Sequence, residues 1–387
     1  MGHYGSIGAS GGISMRRSLA VLSALLALFV LPAAAQQPGT LISAEPMQAT
    51  PAGVQAWKIL YWTSNGNGQR FQVTGIVAAP MEAIPPRPRR VIAWTHGAWG
   101  VAEKCAPSLS SNFFEYSAGM DAVRAGYVVV APDYIGLASP TMHPFLVGPD
   151  TANAVLDAVR AAREIPGAAG GRSFAVWGES QGGHAALWTA MSARSYAPDL
   201  TLVGTAAAAP PTDLAANLRE GSDKNARALL LSFALHSWST LYGFPQDGIT
   251  NRTNQGIIRR LAENNCVAFN KKPKLGTILG ILTIARATRT KDIAKIEPFG
   301  SFARANSVDP ARVPGPLLIA QSSKDTIVAP AVTRKFAKAV CRRGTPMRWI
   351  DMAGDHGSSA KDSAQETIGW ITARFDGTPP PNDCRRI

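Results

Sequence analysis

The stretch "FAVWGESQGGHAALW", residues 174–188, decides the fold. An apolar run stops at Gly178, a serine stands between two small clusters of glycine, and helical spacing then takes over. A short apolar run bounded by glycine reads as a buried strand. Gly178-Glu179-Ser180-Gln181-Gly182 is therefore G-x-S-x-G at a strand-to-helix junction. Such a turn is so sharp that flanking side chains must be absent, and it holds the serine exposed at the carboxyl edge of a sheet. The following helix aims backbone N–H groups and its positive end at the same spot. As a bare pattern G-x-S-x-G is weak, because any Gly-Ser turn matches it. The strand before and the helix after are what make Ser180 a candidate nucleophile.

Working outward, "VQAWKILYWTSN" and "QRFQVTGIVAAP" read as two antiparallel strands joined by a turn-rich link. "RRVIAWTHG" is a strand ending in a Gly loop, "FFEYSAGMDAVRAG" a helix stopped by Gly126, and "YVVVAPD" a buried strand. "TANAVLDAVRAARE" is an amphipathic helix stopped by Pro166, and "LTLVGTAAAAP" is the strand after the Ser180 helix. The alternation lapses after Asp213 for about a hundred residues and resumes with "GPLLIAQSS", "APAVTRKFAKAVC", "PMRWIDMAG" and "SAQETIGWITARF". Short apolar strands alternating with helices predict an α/β fold with a mostly parallel central sheet flanked by helices. Ligands bind such a sheet beyond the carboxyl ends of its strands. The expected division is a core at 36–212 and 313–387, with a helical insertion at 213–312 before the penultimate strand.

A serine hydroxyl is a poor nucleophile without a base. Of six histidines, His3 lies upstream, His96 and His143 precede Ser180, and His236 falls in the insertion. His184 follows the serine by one helical turn and reads as a packing residue. The order in this architecture is Ser, acid, His. His356 in "AGDHGSS" is the histidine beyond the insertion and the expected base. The acid should follow the penultimate strand, where Asp325 stands in "LLIAQSSKDTIVAP"; Asp351 and Asp355 are the competitors. Two oxyanion donors are expected, the N–H of Gln181 and that of Ala98, with Gly97 close behind Ala98. His96 reads as structural in that loop.

Composition bounds the setting. A chain of 387 residues, 46% hydrophobic and 17% charged, is long and apolar enough for a sizeable core. "MRRSLAVLSALLALFVLPAAAQQ" has Arg16 and Arg17 before an apolar run and A-x-A spacing at Ala33 and Ala35. That reads as a signal peptide cleaved near Ala35, the run being short for a membrane span of ~20 residues. In an oxidising compartment, Cys105, Cys266, Cys341 and Cys384 suggest two disulfides, of which the residues alone allow all three connectivities. They show no Cys-x-x-Cys pairing, so no metal is expected. The formal charge of +13 falls to +11 once the two signal-peptide arginines are gone. No basic stripe interleaved with aromatics accompanies it, so no nucleic-acid partner is expected. Attraction to anionic envelope surfaces is the expected consequence.

Together these residues resemble the α/β-hydrolase superfamily, and more narrowly the secretory lipase family of fungal lipase A and related bacterial secreted lipases and esterases. The closer resemblance rests on "APDYIGLAS" (131–139), "LDAVRAA" (156–162), "GESQGGHAALW" (178–188), "KCAPS" (104–108) and "GDHG" (354–357). It spans roughly residues 50 to 384. It implies an α/β-hydrolase fold with a helical cap, a Ser180–Asp325–His356 triad acting through an acyl-enzyme, and no cofactor. It also implies the pairings Cys105–Cys266 and Cys341–Cys384. Two departures stand out: Glu179 where members often carry an aromatic, and Ala138 where "PDYxGLG" has its last glycine. The apolar segments 227–244 and 275–287 are expected to form the acyl pocket or to meet a lipid or hydrophobic polymer surface. The expected reading is a secreted, monomeric serine lipase or carboxylesterase acting on an ester with an apolar acyl chain. A cell-wall or carbohydrate esterase of acetyl or feruloyl type is the alternative, and a serine peptidase of the same fold a more distant one.

Overall fold

Alternation along each strand builds the centre of the molecule. On Arg89–Thr95 (β4), Val91 and Ala93 point to one face of the sheet, while Ile92 and Trp94 point to the other. The computed structural model describes residues 1–2, 36–267 and 272–387, and the expected signal peptide through Ala35 lies outside them. Pro38–Ile387 form one compact body. Its sheet, among the described residues, has nine strands in the order β1-β2-β3-β5-β4-β6-β7-β8-β9. The remaining strands are Leu41–Pro46 (β1), Val54–Ser64 (β2), Arg70–Pro80 (β3), Val128–Pro132 (β5), Gly170–Glu179 (β6), Thr201–Ala208 (β7), Leu317–Ser322 (β8) and Met347–Met352 (β9). β1, β2 and β3 pair antiparallel, as do β3 and β5; every pairing from β5 through β4 to β9 is parallel. The parallel part is covered on both faces, as such sheets require. One face packs Trp94, Trp177, Phe113 and Trp370, and the other Phe174, Val155, Leu156 and Val159.

Two local expectations are corrected. β1 was not anticipated: it is a half-exposed edge strand with a register shift between Leu41 and Ser43, so it lacks a clear apolar alternation. The helix expected over "FFEYSAGMDAVRAG" is broken into two four-residue turns, Phe113–Tyr116 and Asp121–Arg124. Between them the backbone crosses the Trp94 indole so closely that a Cβ on Gly119 would lie 2.6 Å from the ring. The helix breaks at Ser117, which is extended at φ −100° and ψ 98°, and Gly119 lies in the short 3-10 turn Ala118–Met120 that follows.

The larger helices of the core are Gly148–Ala162 (α1) and Gln181–Tyr196 (α2). Between β7 and β8 the chain forms Leu214–Glu220 (α3), Lys224–Tyr242 (α4), Arg252–Asn264 (α5), Leu275–Thr288 (α6) and Phe299–Ala305 (α7). Pro330–Arg342 (α8) and Ala364–Phe375 (α9) close the fold. The sequence states where α4 starts and stops. The Asp223 carboxylate accepts the N–H groups of Asn225 and Ala226, and Gly243 ends the helix in the left-handed region at φ 68°. The inserted helices bury a core of their own around Phe233, Leu235, Trp238 and Phe299. Of the two roles expected for 275–287, α6 does not take the pocket-forming one: Leu275, Ile278, Leu279 and Leu282 are exposed, and Ile284 is its one fully buried residue. No residue of 275–288 lines the cavities beside Ser180.

Cys105 is bonded to Cys266 and Cys341 to Cys384. The first bond ties the segment after β4 to the end of α5, and the Val267 N–H adds a hydrogen bond to the Trp99 carbonyl at 2.8 Å.

Candidate active site

At the carboxyl end of β6 the chain reverses on one residue. Ser180 adopts φ 52° and ψ −121°, a conformation costly for any side-chain-bearing residue. It is held there from both sides: its N–H donates to the Ala208 carbonyl at 2.9 Å, and its carbonyl accepts from His184 N–H at 3.1 Å. The two glycines of the motif have a steric origin. A Cβ on Gly178 would lie 1.9 Å from Thr95 Oγ1, and one on Gly182 would lie 1.8 Å from the Thr95 carbonyl oxygen. α2 thus starts in contact with the end of β4, and the Thr95 hydroxyl seals the contact by donating to Gly182 O at 2.7 Å.

Three elements bring the expected side chains together. His356 stands in a short turn after β9, with Nε2 2.8 Å from Ser180 Oγ and Nδ1 2.7 Å from Asp325 Oδ2. Asp325 is 5% exposed. Its Oδ1 accepts the N–H groups of Ile327 and Val328, and its Oδ2 also accepts from Gln321 Nε2 at 3.1 Å. Four donors around one carboxylate fix its orientation toward the imidazole. The competitors lie elsewhere. Asp351 pairs with Arg334 at 3.1 Å and accepts the Trp349 indole N–H, while Asp355 caps the turn by accepting Ser358 N–H.

The expected oxyanion donors border the same cavity. Ala98, in the loop after β4, and Gln181, the first residue of α2, both line it with Ser180. Gln181 opens a helix, where N–H groups lack intrahelical acceptors.

A residue not expected to contribute holds this corner. The buried His143 ring has Nδ1 2.8 Å from the Ile135 carbonyl and Nε2 2.9 Å from Gln181 Nε2. A carbonyl only accepts, so Nδ1 carries the proton and Nε2 receives a hydrogen bond from the Gln181 amide. Burial pushes the His143 pKa down to about 4, which keeps the ring neutral as that arrangement needs. The cap fixes His143 in turn: Ser237 Oγ on α4 donates to its carbonyl at 2.6 Å, and the Trp238 indole N–H donates to Phe145 O at 2.8 Å. Sequence order hid this role, because His143 lies 38 residues before its partner in a stretch without regular spacing.

The other histidines sit as expected or apart. His96 is buried in its loop, 2.7 Å from Gly97 O and stacked on Tyr134 with ring centroids 4.2 Å apart. His184 donates to Asn306 O at 2.7 Å, packing α2 against the end of the insertion. His236 lies 3.7 Å from Glu263 within the cap. Gly136, in "PDYIGLA", has φ 84° and presses on His143; Ala138 keeps the left-handed backbone at φ 54° although its side chain departs from the glycine pattern.

Two cavities meet at Ser180. The first is bounded by Ala98, Gln181, Phe145, Leu214, Leu231 and Trp238; the second by Gly97, Glu179, Leu229, Val267, His356 and Gly357. The expected pocket-forming role of 227–244 thus falls on one side of α4: Leu229, Leu230, Leu231, Ala234 and Trp238 line cavities, Leu235 is buried in the core of the inserted helices, and Leu241 is 40% exposed. Among the described residues no group of His, Cys, Asp and Glu is arranged to hold a metal ion.

Residues 115–383 match the model of the secretory lipase family. A probable inactive lipase of Mycobacterium tuberculosis is 25% identical over 91% of this chain and 82% of its own length. Lipase 5 of Candida albicans is 26% identical over 87% of this chain and 76% of its own. Among solved structures, Candida antarctica lipase A in its closed state superposes with a TM-score of 0.72 at 19% identity, over 90% of this chain and 86% of that one. A rice cell wall degrading esterase from Xanthomonas oryzae gives 0.67 at 18%, over 88% of this chain and 98% of that one. The chain therefore belongs to the secretory lipase family, a secreted carboxylic ester hydrolase of the α/β-hydrolase fold.

Proposed function

We propose that the protein, exported with removal of residues 1–35, hydrolyses carboxylic esters with an apolar acyl chain through Ser180, His356 and Asp325. One observation carries the reading: the unbroken chain of hydrogen bonds Ser180 Oγ–His356 Nε2–His356 Nδ1–Asp325 Oδ2, at 2.8 and 2.7 Å, opening on an apolar cavity. His356 takes the hydroxyl proton as Oγ attacks the ester carbonyl. Negative charge gathers on the carbonyl oxygen, which the N–H groups of Ala98 and Gln181 receive. The intermediate collapses when His356 Nε2–H protonates the leaving alkoxide, leaving an acyl group on Ser180. Water, deprotonated by His356, then attacks the acyl-enzyme and frees the acid. Asp325 holds the Nδ1–H throughout and stabilises the imidazolium. The cavity lined by Leu214, Leu231 and Trp238 takes the acyl chain, with residues 213–312 acting as the cap.

The relative named as a probable inactive lipase makes retention of chemistry the point to test. Wild type and Ser180→Ala are compared on nitrophenyl esters of increasing chain length, on a triglyceride emulsion and on feruloyl and acetyl sugar esters. Wild type should turn over acyl esters, and Ser180→Ala should lose that activity with its melting temperature kept. Near wild-type rates in Ser180→Ala would remove the nucleophile, and an inactive wild type would remove the enzyme.

A further inference from the structure

A carboxyl group lies beside the nucleophile without a hydrogen bond from any described residue; Lys361 acts on it by charge alone. Glu179 precedes Ser180, and its side chain runs under the oxyanion loop, where a Cβ on Gly97 would lie 3.6 Å from its Cγ and 3.7 Å from Oε1. It borders the second cavity with His356 and is partly exposed there. No hydrogen bond to its carboxyl is made by any described residue, and its oxygens are not among the sealed, partnerless atoms of the interior. A polar group in that position is ordinarily satisfied. The cavity gives an entering group access to it.

The chemistry of ester cleavage says which part of a substrate that is. The imidazolium must hand its Nε2 proton to the leaving oxygen, so the alcohol half lies over His356. The cavity with Glu179 touches His356 and Gly357 but not Gln181; the other touches Gln181 but not His356. The acyl chain therefore takes the first cavity and the alcohol takes the second.

Resting on the acyl-enzyme reading above, we propose that Glu179 is a specificity residue that binds a free hydroxyl on the alcohol half, so the preferred substrates are esters of a polyol such as glycerol or a sugar. Elsewhere that cavity is apolar, with Ala226, Leu229, Leu230, Val267 and Ile327. Without the carboxyl such walls favour a plain alkyl alcohol. Burial raises the Glu179 carboxyl to about 8, so at neutral pH it is a neutral acid that both donates to and accepts from a hydroxyl. Neutrality also spares the developing oxyanion a negative neighbour.

Two octanoate esters of equal alcohol length test this, the 2-hydroxyethyl and the propyl ester, with rates normalised to serine reactive toward a fluorophosphonate. Wild type should favour the hydroxyethyl ester in kcat/KM, against the hydrophobic preference. In Glu179→Met the ratio should shift toward the propyl ester by about tenfold, the worth of one neutral hydrogen bond, while Glu179→Gln keeps most of it. A wild type that prefers the propyl ester overturns the inference whatever the variants do, as does an unchanged ratio in labelled Glu179→Met. Wild type that takes no label removes Ser180 as the nucleophile, and this reading with it, which separates the two failures.

Discussion

Glu179→Gln should make the protein more stable, by an amount that grows with pH. The folded carboxyl is raised by burial from 4.5 to about 8, with the nearby Lys361 ammonium opposing the shift. Between those values the unfolded chain has released the proton and the native chain has kept it. Stability then falls as pH rises, because the native state binds more protons. From 4.5 to 7 this amounts to about 3 kcal/mol at 1.36 kcal/mol per unit. The carboxyl is partly exposed to the cavity, so solvent screening brings the expected effect at pH 7 to about 1–2 kcal/mol. Glutamine keeps the shape and never ionises.

Urea unfolding of both proteins with disulfides intact, at each pH from 4.5 to 8.5, reads the difference. The two should agree near pH 4.5, diverge steadily, and run parallel above the folded pKa. Other groups titrate in this window, including Asp157, raised by burial to about 6, but they are common to both proteins and cancel. Groups facing Glu179 are also shared: Lys361, Tyr134, and His356 across the cavity. A constant offset between the curves from pH 4.5 to 8 would refute a neutral Glu179, since a carboxylate with an ordinary pKa has finished titrating near the lower end.

Two further outcomes are expected. His143→Leu removes the acceptor that holds the Gln181 side chain, so the first turn of α2 should loosen at its catalytic end. We expect kcat to fall about 10- to 100-fold, short of the loss from deleting an oxyanion donor, with KM nearly unchanged; a rise in KM alone would assign His143 to substrate binding. Replacing Cys341 and Cys384 together by alanine opens a loop spanning 43 residues and should lower stability by roughly 3–4 kcal/mol in chemical denaturation, with activity at low temperature retained.

What the sequence discloses and what it hides divide along a physical line. The strand–turn–helix around Ser180 is legible because the two glycines that Thr95 of β4 demands stand two residues either side of the serine and so form a motif between an apolar run and a helix. His356 and Asp325 are legible because chain order in a parallel sheet maps onto position along its edge. β1 is hidden because an edge strand buries little and needs no sharp pattern. The break at Ser117 is hidden because the residues around it, in "FEYSAGMD", carry helical spacing through the extended serine. α6 misleads for the opposite reason: its leucines are apolar in composition, yet Leu275, Leu279 and Leu282 face outward. Composition registers hydrophobicity, not the direction in which it points.

Local rules fail together at one place, and that concentration is itself informative. Ser180 holds a backbone conformation suited to glycine, Glu179 keeps a carboxyl without a hydrogen bond from any described residue, and His143 must stay neutral for its ring to accept a hydrogen bond. Each destabilises the fold if taken alone. Each is maintained by something rigid: β4 and β7 clamp Ser180, the Gly97 loop covers Glu179, and α4 of the cap fixes the segment carrying His143. The insertion, proposed as the cap, thus reaches the corner beside Ser180. Through Ser237 and Trp238 it sets His143, and through His143 the Gln181 side chain at the first residue of α2, the proposed oxyanion donor. A cap that packs less firmly should therefore lose turnover before it loses stability.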